Sequence, residues 1–203
     1  MSQIAISGNA SGTGVFTIAS PNSNSNYTQT LPAATGTLYI PGTTVSNIQS
    51  GTSVASTSGT SIDFTSIPSW VKRITVILNG VSLSGTANFR FQLGTSAGIV
   101  STGYVGAATN IQNANPTNGA VYAGGGFDLT NNVNLVVQYG TLRIVNITGN
   151  TWVADGVFSR TTAANGADFT AGTVVLSGTL DRVRVTSTGA DTFDAGSINI
   201  LYE

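Results

Sequence analysis

The stretch Arg73-Ile74-Thr75-Val76-Ile77-Leu78-Asn79 decides the fold class. Ile74, Val76 and Leu78 share one side of a chain with a two-residue period, and Arg73, Thr75 and Asn79 share the other. That is the alternation of a strand with one face in a core. It returns in Ala87-Asn88-Phe89-Arg90-Phe91-Gln92-Leu93, where Phe89, Phe91 and Leu93 lie opposite Arg90 and Gln92. It returns again where Val183 and Val185 alternate with Arg182, Arg184 and Thr186, and where Ile198, Ile200 and Tyr202 alternate with Ser197, Asn199 and Leu201. Such half-buried strands belong to antiparallel sheets. Further strand candidates are 119–123, 127–130, 141–148, 151–159 and 173–180, separated by Gly, Asn or Pro. One helical turn is expected at Ile67-Pro68-Ser69-Trp70, because Pro suits a first helical position. No repeat of fixed period recurs, which disfavours a solenoid or propeller. The expectation is an all-β chain whose main domain, 60–203, is an antiparallel β-sandwich of jelly-roll kind.

Composition narrows the chemistry. The 203 residues include no His and no Cys. A His-assisted nucleophile, the common zinc sites and a disulfide framework are therefore excluded. Ser, Thr, Asn and Gly make up nearly half of the chain, a composition closer to structural proteins than to enzymes. Charged residues are 7% of the chain, against a usual ~25%, and the net charge is -1. A nearly neutral surface favours association, so the chain reads as a subunit. Seven bases against eight acids leave no phosphate-neutralising footprint, and nucleic acid is not an expected partner. No apolar run reaches the ~18 residues of a membrane-spanning helix, and no secretory signal is visible, so neither membrane insertion nor export is expected. No cofactor is expected.

The charges are also unevenly placed. The first is Asp63, so residues 1–62 carry none. Within that region 3–7, 15–19 and 36–40 have strand periodicity, divided by Ser/Asn/Gly turn clusters. So few apolar positions cannot make a separate core, and the piece must dock on something. The expected organisation is an N-terminal module over 1–50, a linker over 51–59, and the sandwich over 60–203.

The N-terminal stretch Gly8-Asn9-Ala10-Ser11-Gly12-Thr13-Gly14-Val15-Phe16-Thr17-Ile18-Ala19-Ser20-Pro21, followed by Gln29-Thr30-Leu31-Pro32-Ala33-Ala34-Thr35-Gly36-Thr37-Leu38, resembles the opening module of bacteriophage tail-fibre proteins. Ile67–Val76, Gln92–Ile99 and Phe193–Glu203 are similar to the C-terminal domains of such fibre-like proteins. The resemblance implies a homotrimeric, non-enzymatic structural protein of the virion. Residues 1–50 would attach to the tail or baseplate, and the C-terminal domain would bind a host-surface glycan or lipopolysaccharide. Because the module also occurs away from the tail, a head fibre or capsid-decoration protein is the alternative; a polysaccharide depolymerase is a third reading. The resemblance brings no site residues. An uncharged N-terminus suits a trimer stem, since charges turned toward a three-fold axis would be desolvated at a cost of several kcal/mol.

The best candidates for receptor contact are amides, whose paired donors and acceptors match sugar hydroxyls. Residues 109–118 hold Asn110, Gln112, Asn113 and Asn115 in what reads as a loop, with Asn131 and Asn132 in a second. Trp70 reads as capping the core beside the Ile74 strand, the alternative being a ring stacked on a sugar; Trp152 reads as core. Asp191-Thr192-Phe193-Asp194 reads as a turn before the last strand, not a calcium loop. Asp155, Asp168, Asp181, Asp191 and Asp194 are the carboxylates from which a glycosidase pair would have to come, with no spacing that selects two. Arg182 and Arg184 are expected to make surface ion pairs, with Asp181 or Asp155 as partners.

Overall fold

A computed structural model of the chain describes residues 48–112, 115–130, 136–162 and 165–203, together with 11, 13, 24–26 and 28; for 115–123 and Thr162 it describes the backbone alone. The chain divides into two compact units, 1–44 and 45–203. The strands expected at 3–7, 15–19 and 36–40 lie outside the described residues, as does most of the N-terminal module.

The described residues of the second unit contain strands and no helix. In chain order they are β1 (Gln49–Ser50), β2 (Val54–Ala55), β3 (Ser61–Phe64), β4 (Arg73–Leu83), β5 (Phe89–Thr95), β6 (Gly98–Ile99) and β7 (Tyr104–Gln112). There follow β8 (Asn115–Gly124), β9 (Phe127–Asp128), β10 (Val136–Thr148), β11 (Thr151–Thr162), β12 (Gly166–Val175), β13 (Arg182–Ser187) and β14 (Phe193–Tyr202). The larger sheet runs β1-β14-β4-β10-β11-β12-β7-β8, with β2 also on β14. The smaller runs β3-β13-β5-β6, with β9 also on β5. Every pairing is antiparallel.

The alternation read from sequence fixes which faces meet. Ile74, Val76 and Leu78 of β4, Leu142 and Ile144 of β10, and Ile198 and Ile200 of β14 are buried beneath Phe89, Phe91 and Leu93 of β5 and Val183 and Val185 of β13. Aromatic pairs join the two layers. Phe91 stacks on Phe158 of β11 with ring centroids 5.7 Å apart, and Tyr104 of β7 meets Phe127 of β9 edge-on at 5.0 Å. The result is an all-β, sandwich-like fold.

Three local readings change. The stretch 51–59 is not a free linker: β2 lies in it, and β1 and β2 pair with β14 through Gln49↔Tyr202 and Val54↔Ile198. The expected helical turn is a simple turn, closed by Val71 N donating to Pro68 O at 3.1 Å. The candidate strand 173–180 overlaps only the end of β12, although Leu176 and Leu180 are buried.

Candidate functional site

Residues 109–118 are a β-hairpin and not a loop. β7 and β8 stay paired out to Gln112↔Asn115, so only two residues join them. Asn110 is consequently no solvent-facing amide. It is 3% exposed, and its Nδ2 donates to Thr130 Oγ1 at 3.1 Å. Gln112 is half-buried near the end of β7, and Asn115 begins β8. Asn113, Asn131 and Asn132 lie outside the described residues, as does the side chain of Asn115.

Asn110 belongs to a polar cluster on the inner face of the large sheet. Each of four neighbouring strands contributes one residue near the same end: Gln138 (β10), Arg160 (β11), Asp168 (β12) and Asn110 (β7). The register sets Gln138 opposite Arg160 and Asp168 opposite Asn110. Asp168 is the hub. Its Oδ1 accepts from Arg160 Nη1 at 3.4 Å and from Thr130 Oγ1 at 3.2 Å, and its Oδ2 accepts from Gln138 Nε2 at 2.6 Å. The Arg160 and Asp168 side chains have no solvent exposure. Burial holds the Asp168 carboxyl above its ordinary range, while the Gln138 hydrogen bond, the Arg160 charge and the Thr130 hydroxyl act in the opposite direction. Gln138 Oε1 has no hydrogen-bond partner among the described residues.

Sequence reading missed this cluster because it treated charges as surface groups. The signal was the phase of the alternation: Arg160 continues the buried series Trp152, Ala154, Phe158, and Asp168 continues Thr170 and Val174.

The cluster and the place where the chain enters the sandwich lie at different ends. Gln49 shares a transverse row with Tyr202, Ile74, Ile144, Ala154, Gly172 and Gly106. Gln112 shares one with Gly166, Arg160, Gln138 and Val81. Six residues along β7 separate the rows, which at ~3.4 Å per residue is about 20 Å.

Near the entry end, Trp70 is not a cap on the core. It is 49% exposed, and its ring lies 6.0 Å from that of Tyr202, beside Lys72, the Arg73–Glu203 ion pair and Asn146. Trp152 is core, as expected.

The remaining ionic groups are engaged locally. Arg182 pairs with Asp181 at 2.7 Å, Arg184 with Asp63 at 2.7 Å, Arg90 with Asp128 at 2.8 Å and Arg143 with Asp155 at 3.0 Å. Every arginine is thus in an ion pair, and Asp155 serves Arg143, not Arg182 or Arg184. Asp191 Oδ2 accepts from Ala87 N at 2.7 Å, and Asp194 accepts from Ser82 Oγ. Among the described residues no group of acidic side chains is placed to hold a metal ion. No family model matches the chain, and neither does any curated protein or solved structure.

Proposed function

We propose that the protein is a homotrimeric structural subunit of a bacteriophage fibre, attached to the tail or baseplate through residues 1–50 and binding a host-surface glycan with the far end of its sandwich. The observation that carries this reading is the axial layout of the second unit. The chain enters at β1, beside Tyr202, while the Asn-bearing end of the β7–β8 hairpin and Thr130, which precedes Asn131 and Asn132, lie toward the other end. An adhesin needs this separation, because its anchor and its contact surface must not compete for one end. The buried Asp168 cluster supports the reading in a second way. Asp168 ties Thr130 to Gln138 across the segment 131–135, so it holds both ends of that amide-bearing connection. Multivalent contact by three copies would supply avidity without strong single sites.

The test has two parts. Light scattering on the full chain should return three times the chain mass. Purified trimer should bind saturably to a panel of immobilised bacterial surface polysaccharides without releasing saccharide. A monomer at all concentrations would remove the fibre reading; saccharide release would transfer it to the depolymerase.

A further inference from the structure

We propose that the outer face of β10, β11, β12 and β7 is the surface through which copies of this chain meet; the proposal rests on the homo-oligomer reading above and names where it is built. The outward face of an antiparallel sheet over a core is ordinarily polar. Here it carries Tyr139, Val157, Phe169, Ile111, Val105 and Val175, of which Val105, Val157 and Val175 are each more than half exposed. These six are most of the large apolar side chains that the described residues leave in solvent. Val157 and Phe169 are paired neighbours, and Ala171 and Ala107 carry the apolar surface on toward Val105; apolar exposure gathered on one face marks an interaction site.

The face has a shape as well as a polarity. The register places Val157 beside Phe169, and in the next row Asp155 beside Ala171 beside Ala107. Large side chains therefore form a ridge next to a trough whose floor is small. That trough is a depression of about 370 Å³ lined by Ala107, Gly156, Val157, Phe169 and Ala171 among others. A small-molecule site of this size needs a few convergent polar groups to orient its ligand. The carboxylate at the rim is already occupied: Asp155 accepts from Arg143 Nε and Nη2, both at 3.0 Å.

Charge identifies the occupant. Arg143 and Asp155 are the only ionic side chains pointing outward from these four strands, and they neutralise each other. A strongly acidic or basic partner would find no counter-charge. A second copy needs none, and a ridge beside a trough suits a head-to-tail contact that closes about a three-fold axis: the Phe169 of each copy fills the Ala107–Ala171 trough of the next. Four strands ~4.8 Å apart, over the seven residues from Val105 to Ile111 at ~3.4 Å each, make a patch of roughly 20 by 20 Å. A stable interface buries about 800 Å² per partner, so these residues form its apolar centre and not its whole extent.

The test uses the full chain. Val157→Glu and Phe169→Lys should each lower the mass in solution about threefold, to that of one chain, with circular dichroism unchanged; Trp70→Lys, exposed elsewhere, should leave the mass as it was. Because the chain has no cysteine, Val157→Cys gives a second readout that does not burden the fold: a short bis-maleimide should link copies at Val157→Cys and not at Thr65→Cys. If both charged variants fold and keep the wild-type mass, or Val157→Cys fails to cross-link, this face is not the interface and the trimer reading stands. If the wild-type chain is itself monomeric, both fall together.

Discussion

Arg160 and Asp168 form an ion pair that water does not reach, on the inner face of the large sheet and diagonal to each other across β11 and β12. Two buried charges compensate each other, and removing one strands its partner in low dielectric, which costs about 3–5 kcal/mol. Asp168→Leu should lower unfolding stability by that amount in a urea titration. The double variant Asp168→Leu with Arg160→Met should recover part of the loss. The half-exposed pair Arg184–Asp63 provides the contrast, since Arg184→Ala should cost under ~1 kcal/mol. Equal costs for Asp168→Leu and Arg184→Ala would show that burial does not distinguish the two pairs.

Alkaline pH should act through Tyr104. Its hydroxyl accepts from Leu93 N at 2.7 Å and donates to Leu93 O at 3.3 Å, and burial pushes the phenol from 10.0 up to about 12, against the opposing Leu93 hydrogen bond and Arg90 charge. The unfolded chain loses this proton near pH 10, while the folded chain keeps it until about 12. Within that window the folded state binds more protons, so stability present below pH 10 declines as pH rises. Tyr104→Phe should flatten that decline while costing about 1 kcal/mol at neutral pH. A slope unchanged by Tyr104→Phe would assign the alkaline effect elsewhere.

Gly196 sits at a register shift in β14, at φ +88°, where an added Cβ would collide with the Gly80 carbonyl. Gly196→Ala should therefore destabilise by about 1–3 kcal/mol. The check is the unfolding midpoint, compared with Gly178→Ala, where the nearest atom to an added Cβ is 3.7 Å away.

The two tryptophans should separate cleanly. Trp152→Ala empties a buried site and should cost about 3–5 kcal/mol, whereas Trp70→Ala loses one exposed aromatic contact worth about 0.5–1.5 kcal/mol. Thermal unfolding of the two variants gives the comparison directly, and similar losses would mean that Trp70 is packed more deeply than its exposure indicates.

The strands with one apolar face were legible because burial enforces their period: Ile74, Val76, Leu78 and Phe89, Phe91, Leu93 could not slip by one residue without turning the core outward. β7 was not legible. Its inward residues include Gly106, Ala108 and Asn110, and the partner strand that follows contains Pro116, which reads as a chain break. Pro116 is tolerated because, among the described residues, β8 is the edge of the sheet, where an absent N–H costs no ladder bond. Position within a sheet is a tertiary fact that local pattern does not carry. Trp70 was misplaced for a related reason: size and apolarity suggested the core, but the turn before β4 directs the ring onto Tyr202. Of the candidate site, the amide-rich stretches were visible and the Asp168 cluster beneath them was not.

The strand order also governs when the protein can fold during synthesis. β13 lies between β3 and β5, and β14 lies between β1 and β4, so neither sheet can close until the ribosome has released those two late strands. Until then β3, β5 and one edge of β4 present unpaired backbone, while β4, β10, β11, β12, β7 and β8 already have one another as partners, so closing the sandwich is a late step that joins strands far apart in the chain.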